Sequence, residues 1–218
     1  MIHAFTAIDA WMIVAAVRWT LALSAVAFAG GAVGGLIIAL LRSSHSRLAQ
    51  TLAAGFIRLF QGTPLLMQLF LTYFGLRFVG LIVTAWVAAS LALTLHASAF
   101  LGEIWRGCID AVPPGQSEAA ASLGLSYYHR MRRVVLPQAS RISVAPTVGF
   151  LVQLIKGTSL ASIIGFVELM RAAQIVNNAT YSPFKAYGLV SVMFFCVCWP
   201  ISILARRMEA RYATLTKA

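Results

Sequence analysis

Long stretches of apolar residues without a charged side chain set the limits on what this sequence can fold into. Residues 19–41 and 78–102 contain no Asp, Glu, Lys or Arg, and a helix needs about 20 apolar residues to cross the hydrocarbon core. Only 11% of the residues are charged, against about 25% in an ordinary soluble domain. We therefore predict an integral membrane protein and not a soluble nucleic-acid binder, although the formal net charge is +11.

Five transmembrane helices are predicted, in an all-α membrane protein with a single transmembrane domain over residues 1–218. The predicted spans are about 11–41, 59–76, 78–102, 142–167 and 186–205. The second is interrupted by Gly62 and Pro64 and the fourth by Lys156, so these two are the least regular. The first residues lack the basic start and the small-residue cleavage site of a secretory signal, and we expect the chain to be uncleaved.

The basic residues are distributed unevenly between the two ends of the predicted spans. Of the 17 Lys and Arg, 12 lie at one end, 4 at the other, and Lys156 within a span. Because loops rich in Lys and Arg stay in the cytoplasm, we predict an outer N-terminus and a cytoplasmic C-terminus. The cytoplasmic set is Arg42, Arg47, Arg58, Arg106, Arg130, Arg132, Arg133, Arg141, Arg206, Arg207, Arg211 and Lys217.

The longest predicted cytoplasmic connection, about 103–141, carries local signals for two short helices. Residues 113–115 (PPG) form a turn pattern, and Ser117 is a candidate N-cap. Gly124 supplies a C-terminal stop, and Ser126 can cap a second helix that runs to Pro137.

The first of these loop helices is too short to be stable alone in water. A groove on a partner would stabilise it, with Leu123 and Leu125 as apolar contacts. Taken alone, the local signals favour a helical hairpin that only connects two spans.

One spacing in this loop resembles a known motif. The chain has Glu118-Ala119-Ala120, then Gly124, then Val134, Leu136 and Pro137. This resembles the E-A-A, three residues, G, nine residues, I-x-L-P motif of the membrane subunits of bacterial ABC importers, with Val134 in place of Ile. The resemblance implies a type I ABC importer permease fold, with a short coupling helix that docks into a cleft on an ATPase subunit. The residues predicted to contact the ATPase are Glu118, Ala119, Ala120, Leu123, Gly124 and Leu125.

Four further segments resemble the polar amino acid permeases of this class, in the same order along the chain. They are 61–68 (QGTPLLMQ), 99–107 (AFLGEIWRG), 156–160 (KGTSL) and 165–169 (GFVEL). Gln61 stands where that family usually has Arg, Gly102 replaces Ala, and Gly157 replaces Asp or Asn. The resemblance covers roughly residue 20 to the C-terminus and includes the histidine, arginine and glutamine systems.

The resemblance implies a subunit that does no chemistry itself. It implies no catalytic residue, cofactor or metal in this chain, and ATP and Mg²⁺ bound by a partner. The sequence has no GxxxxGK motif followed by Ser or Thr that could cradle ATP phosphates. The implied partners are two ABC ATPase subunits, an identical or homologous permease, and a periplasmic amino-acid-binding protein, in the bacterial inner membrane.

Several polar residues of the predicted spans are candidates for the translocation path. Lys156 needs a partner or a wet cavity, because an ionised group near the membrane centre costs about 2.5–3.5 kcal/mol on insertion scales. The alternatives are a pairing of Lys156 with Glu103 or with a helix C-terminus, and helix–helix hydrogen bonds for the uncharged residues. The candidates are Thr63, Gln68, His96, Ser98, Lys156, Thr158 and Ser159.

Two other features leave alternatives open. Gly30, Gly31, Gly34 and Gly35 form overlapping GxxxG patterns in the first span, which permit close helix contact within the subunit or across a dimer.

The alternative to the permease function is an ion-coupled secondary carrier or a channel that works without an ATPase. An intramembrane enzyme would need paired carboxylates, a metal cluster or a nucleophile with its base, and the spans carry none of these patterns.

Overall fold

The computed structural model describes residues 3–44 and 46–215, and all regular structure within these ranges is helical. The helices are α1 (Ala7–Arg42), α2 (Arg47–Gly62), α3 (Leu65–Phe78), α4 (Ala85–Asp110), α5 (Pro114–Ser122), α6 (Tyr127–Ile164), α7 (Leu169–Thr180) and α8 (Pro183–Leu215). The all-α class predicted from the sequence is therefore confirmed.

Four of these helices, α1, α4, α6 and α8, are long and apolar enough to cross a membrane. They cover the predicted spans 11–41, 78–102, 142–167 and 186–205, but their ends differ. Helix α4 begins at Ala85 and continues to Asp110, and α6 begins at Tyr127 and ends at Ile164. Much of the predicted loop 103–141 is thus the helical continuation of two spans.

The second predicted span, 59–76, is broken into two helices. Thr63 has an extended backbone (φ −113°, ψ 141°) and separates α2 from α3. The ring of Pro64 disfavours the helical conformation for the preceding residue, which explains the break. Helix α3 is shorter than the about 20 residues of a full span, and it contains a π-helical segment at Leu71–Gly75.

Side chains that accept hydrogen bonds from the first turn explain where three of the helices begin. Thr6 and Asp9 form a reciprocal capping box at the start of α1, with Thr6 N–H donating to Asp9 Oδ2 over 2.8 Å. Ser46 caps α2 by accepting from Ala49 N–H, and Thr84 caps α4 by accepting from Val87 N–H. The Thr84 cap is the local reason that α4 starts later than the apolar run around it.

The glycines of α1 lie against α4. A Cβ built on Gly30 would stand 2.8 Å from Thr94 Cγ2, and one on Gly35 would stand 2.8 Å from Leu101 Cβ. Of the two alternatives for the GxxxG patterns, the structure shows close packing within the subunit. Glycine is needed here because any side chain would push the two helix backbones apart.

Helix α4 lies at the centre of the bundle and packs against α1, α2, α3 and α6. The core around it is made of fully buried apolar side chains from four helices, including Leu23, Leu69, Leu93 and Leu154. At the end opposite to α5, a second cluster joins α1 to α7 and α8 through Ile13, Val176 and Val190.

Candidate functional site

Helix α5 begins with proline. Pro113 is its N-cap and Pro114 its first helical residue, so the prediction that Ser117 caps this helix is wrong. Proline is suited to the first helical position, because its fixed φ is already helical and its missing N–H would have no partner there.

Helix α5 ends in a complete Schellman motif. Gly124 has a left-handed backbone (φ +75°). Its N–H donates to Ala121 O over 2.9 Å, and Leu125 N–H donates to Ala120 O over 3.2 Å. These bonds supply donors to two carbonyls that would otherwise have none at the helix end. The predicted stop at Gly124 is therefore confirmed.

The predicted ATPase-contacting residues share this one short helix and its end. Helix α5 packs on the first turns of α6, and Ala120 is buried. Glu118 and Ala119 are exposed, and the Leu123 side chain is 82% exposed. A large apolar side chain is thus held outward at the tip of a polar loop.

The second loop helix is the start of α6. Ser126 occupies the N-cap position, as predicted, but its hydroxyl makes no hydrogen bond to the helix backbone and lies 2.8 Å from His129 Nδ1. The prediction that it stops at Pro137 is wrong, because the helix continues to Ile164. A π-helical segment at Met131–Val135 precedes the proline, and such a bulge accommodates the bond that the proline cannot make.

Two contacts anchor this loop to the bundle. The Tyr127 hydroxyl donates to Ser43 O over 2.8 Å, joining the start of α6 to the end of α1. Trp105 Nε1 donates to Thr147 Oγ1 over 2.8 Å, joining α4 to α6. The start of α6 is thus bonded to the end of α1, and α4 is bonded to α6.

The cytoplasmic half of α4 carries a charge cluster. Arg106 pairs with Glu103 over 2.6 Å and also with Asp110. Because Glu103 is bonded to Arg106, the alternative ion pair between Glu103 and Lys156 is not formed.

Gln68 occupies the centre of the best-bonded polar cluster within the bundle. Its Nε2 donates to Phe60 O over 2.7 Å and to Thr63 O over 3.0 Å, and its Oε1 lies 3.1 Å from His96 Nδ1. Pro64 has no N–H to donate to Phe60 O, so the Gln68 amide replaces the missing bond at the end of α2.

Four hydroxyls among the predicted path residues are bonded to backbone carbonyls three or four residues earlier in the chain. Over 2.7–2.8 Å, the donors and acceptors are Thr63 to Leu59 O, Ser98 to Thr94 O, Thr158 to Ile155 O and Ser159 to Lys156 O. Thr158 is fully buried.

Lys156 differs from these residues. Its side chain is exposed on α6 next to exposed Gln153, and within the described residues it has no ion pair. It is the predicted path residue with a charge free to meet a ligand.

A buried carboxylate that the sequence analysis did not select links α1 to α7. Glu168 is fully buried and caps α7 by accepting from Arg171 N–H over 2.9 Å. Thr20 Oγ1 lies 3.5 Å from Glu168 Oε2 and accepts from Leu169 N–H over 3.2 Å. Burial raises the pKa of Glu168 to about 7. Thr20 and Glu168 are 148 positions apart, so in the sequence only the resemblance of segment 165–169 (GFVEL) included Glu168.

Replacing Gln68 by leucine is expected to lower the thermal unfolding midpoint by roughly 5 °C. The change leaves buried His96 without its partner, and one unpaired buried polar group costs about 1–3 kcal/mol; it also removes the donor to the carbonyls of half-buried Phe60 and exposed Thr63. The measurement is thermal unfolding of the purified protein in detergent. Gln153→Leu is the matched control, because that glutamine is exposed; equal midpoints for the two variants would contradict the bonding role.

Comparison with known proteins gives a consistent result. Residues 31–214 match the model of a family described as binding-protein-dependent transport system inner membrane component. The chain is 35% identical over 201 residues to the probable amino-acid ABC transporter permease protein YckA of Bacillus subtilis, covering 92% of this chain and 89% of that protein. It is 35% identical over 207 residues to the nopaline transport system permease protein NocM of Agrobacterium fabrum, covering 90% and 86%.

Solved structures agree with the sequence matches. The fold matches a crystal structure of an amino acid ABC transporter with histidines, with a TM-score of 0.87 and 35% identity over 92% of this chain and 94% of that chain. It also matches an inward-facing MetNI methionine ABC transporter, with a TM-score of 0.79 and 21% identity over 94% and 99%. The second likeness concerns the fold alone.

Proposed function

We propose that this chain, which belongs to the family of binding-protein-dependent transport system inner membrane components, forms the translocation path of a polar amino acid importer together with a second permease. The chain is a multi-pass inner-membrane protein and a transport subunit. Family membership favours this function over an ion-coupled secondary carrier or a channel. ATP and Mg²⁺ bind, in this proposal, to two separate ATPase subunits, and a periplasmic binding protein delivers the amino acid.

The observation that carries the proposal is the exposed tip of α5. This helix is ended by a left-handed glycine and holds Leu123 82% exposed, in a loop bounded by the long helices α4 and α6. A short helix with an outward apolar residue suits insertion into a groove of another protein. Its rigid packing on α6 then couples closure of that groove to the spans.

The orientation of the chain is supported by where its basic residues lie. Helices α1 and α4 end, and α6 begins, at the same end of the bundle, and Arg42, Arg106 and Arg130 lie there. By the positive-inside rule this end is cytoplasmic, which puts the N-terminus in the periplasm and the C-terminus in the cytoplasm. Helix α5 then faces the compartment that supplies ATP.

The test of this function is recovery of an ATPase with the purified chain. Leu123→Asp should reduce the ATPase recovered from membranes at least tenfold, because a carboxylate would have to be buried in the docking groove. Leu81→Asp is the matched control, since Leu81 is an exposed leucine before α4, at the opposite end of that helix from α5. Equal ATPase recovery with both variants would overturn the docking role of α5.

Lys156 provides a separate test of the translocation path. A lone cation in a membrane helix costs about 2.5–3.5 kcal/mol on insertion scales, and a water-filled path offsets this cost. We expect Lys156→Ala to lower ATP-driven uptake about tenfold in reconstituted vesicles and Lys156→Arg to retain most of it. Lys185→Ala, an exposed lysine of α8, is the control. Normal uptake by a fully assembled Lys156→Ala transporter would exclude the path role.

A further inference from the structure

The outer end of α6, at the opposite end of the bundle from α5, is tied to α7 by the short connection 165–168. The last turns of α6, Thr158–Ile164, form a 3₁₀ helix, a tighter form that often marks a hinge. Gly165 then adopts a left-handed backbone (φ +87°) and turns the chain. The ring of Phe166 packs on Trp86 at the start of α4, with centroids 5.3 Å apart. A movement of this end of α6 therefore displaces residues 165–168 as well.

Glu168 and Thr20 hold the far side of this turn against α1. Glu168 Oε1 accepts from Arg171 N–H over 2.9 Å at the start of α7, and its Oε2 lies 3.5 Å from Thr20 Oγ1. Thr20 Oγ1 in turn accepts from Leu169 N–H over 3.2 Å. Both side chains are buried. One hydroxyl of α1 thus contacts both the carboxyl group and the first N–H of α7.

The buried carboxyl group has no cation beside it. Among the described residues Glu168 forms no ion pair. The Arg171 guanidinium donates to Gln174 Oε1 over 3.1 Å, and Arg18 lies over the Trp19 ring. Within the described structure, hydrogen bonds and not an opposite charge therefore stabilise Glu168. The titratable residues nearest to it along the surrounding helices are Asp9 and Arg18 of α1, His96 and Glu103 of α4, Lys156 of α6, Arg171 of α7, and Lys185 and Tyr187 of α8.

Burial without an opposite charge makes this contact depend on protonation. Burial raises the pKa of Glu168 from 4.5 to about 7, although hydrogen bonds from the α7 backbone and from Thr20 lower it. Below pH 4.5 the carboxyl group is neutral both in the buried site and in water. Between pH 4.5 and about 7 the group ionises only when it is exposed, so the buried arrangement loses stability as the pH rises to about 7.

We propose that Glu168 and Thr20 form a proton-sensitive latch that holds the outer end of α6 against α1. With Glu168 neutral, the latch is closed and α7 stays packed on α1. With Glu168 ionised, exposure of the carboxylate to water is favoured, and residues 165–168 separate from α1 more often. Alternating access requires the outer ends of the spans to move, so the pH outside the membrane sets how readily this end opens. Glu168 is a positioning residue, and its effect on uptake rests on the proposed importer function and orientation.

Hydrogen exchange of the α7 backbone amides measures opening of the latch in the purified full-length chain. Exchange rates at about pH 6 and pH 8 are first corrected for the chemical exchange rate of a free amide. The opened fraction of the wild type should be about tenfold larger at the higher pH, which follows from a pKa of about 7 in the closed latch and of 4.5 in the open one.

Two variants identify the group that titrates. Glu168→Gln keeps the size of the side chain and removes the ionisable group, so the opened fraction should be the same at both pH values. Asp110→Asn is the matched control, because that carboxylate lies at the other end of the bundle and its side chain is 61% exposed; it should keep the wild-type pH dependence. In reconstituted vesicles, the ratio of wild-type to Glu168→Gln uptake should increase over the same pH interval.

Three results would overturn the proposal. Equal opening of α7 at both pH values in the wild type would mean that Glu168 does not titrate in the latch. A pH dependence that persists in Glu168→Gln would assign it to another group. Identical pH profiles of uptake for these two proteins would mean that the latch does not restrain transport. The exchange measurement needs neither ATPase nor substrate, so a failure of the proposed importer function would be detected separately, as absent ATPase recovery.

Discussion

Replacing Gly124 by valine should lower ATP-driven amino acid uptake at least fivefold while the chain still reaches the membrane in normal amounts. Gly124 has φ +75°, and a β-branched residue in a left-handed conformation costs about 1–3 kcal/mol. This cost lowers the relative population of the conformation in which the two Schellman hydrogen bonds at the end of α5 are formed. The factor is about 5 to 150. The measurement is uptake in vesicles reconstituted with ATPase and binding protein.

Gly124→Asn separates conformation from the simple presence of a side chain. Asparagine tolerates the left-handed region, so this variant should retain most of the uptake that Gly124→Val loses. Gly115→Val adds the same side chain to the first turn of α5, at a position with open space around it. If the asparagine and valine variants at position 124 are equally inactive, the backbone conformation is not the property that matters.

The second large effect is expected where α1 crosses α4. A Cβ on Gly31 would overlap the Cβ of Ala97 and stand 3.2 Å from its carbonyl carbon. Both helices are rigid at this point, and overpacking costs about 1–3 kcal/mol or more. Gly31→Val should therefore lower the midpoint of thermal unfolding in detergent by roughly 10 °C and reduce the amount of folded protein recovered.

Two further variants identify the cause of that loss. Gly55→Val places the same side chain in α2, where nothing lies within 4 Å of the new Cβ, and it should leave the midpoint almost unchanged. Gly31→Ala combined with Ala97→Gly moves the methyl group from one helix to the other. The pair should be more stable than Gly31→Ala alone, and simple additivity of the two changes would contradict direct packing.

The sequence patterns predicted the long helices well because apolar runs and cytoplasmic charges are local signals. They located the exposed loop helix and its stop at Gly124, which depends on one residue type in one conformation. The sequence patterns did not correctly predict how the prolines affect the helices. Pro64 divides the second predicted span, Pro114 starts α5, and Pro137 lies inside a continuous helix. A proline is compatible with all three outcomes, and the surrounding packing decides between them.

The polar clusters were predicted less completely because they join residues far apart in the chain. Gln68 and His96 are 28 residues apart, and Thr20 and Glu168 are 148 apart. A local signal for Gln68 did exist, since Pro64 leaves Phe60 O without its helical donor. The predicted roles of Gln68, His96 and Lys156 in translocation stay predictions, and the Lys156 variants described above test that of Lys156.

The exposure of Leu123 also affects how fast the subunit is degraded before it assembles with a partner. A newly made chain displays an 82% exposed leucine on the water-facing tip of α5 until a partner covers it. Exposed apolar side chains promote aggregation and attract the chaperones and proteases that survey new proteins. In the proposed assembly, synthesis without the ATPase should therefore yield an orphan subunit that is degraded faster, which would tie the abundance of the permease to that of the proposed ATPase.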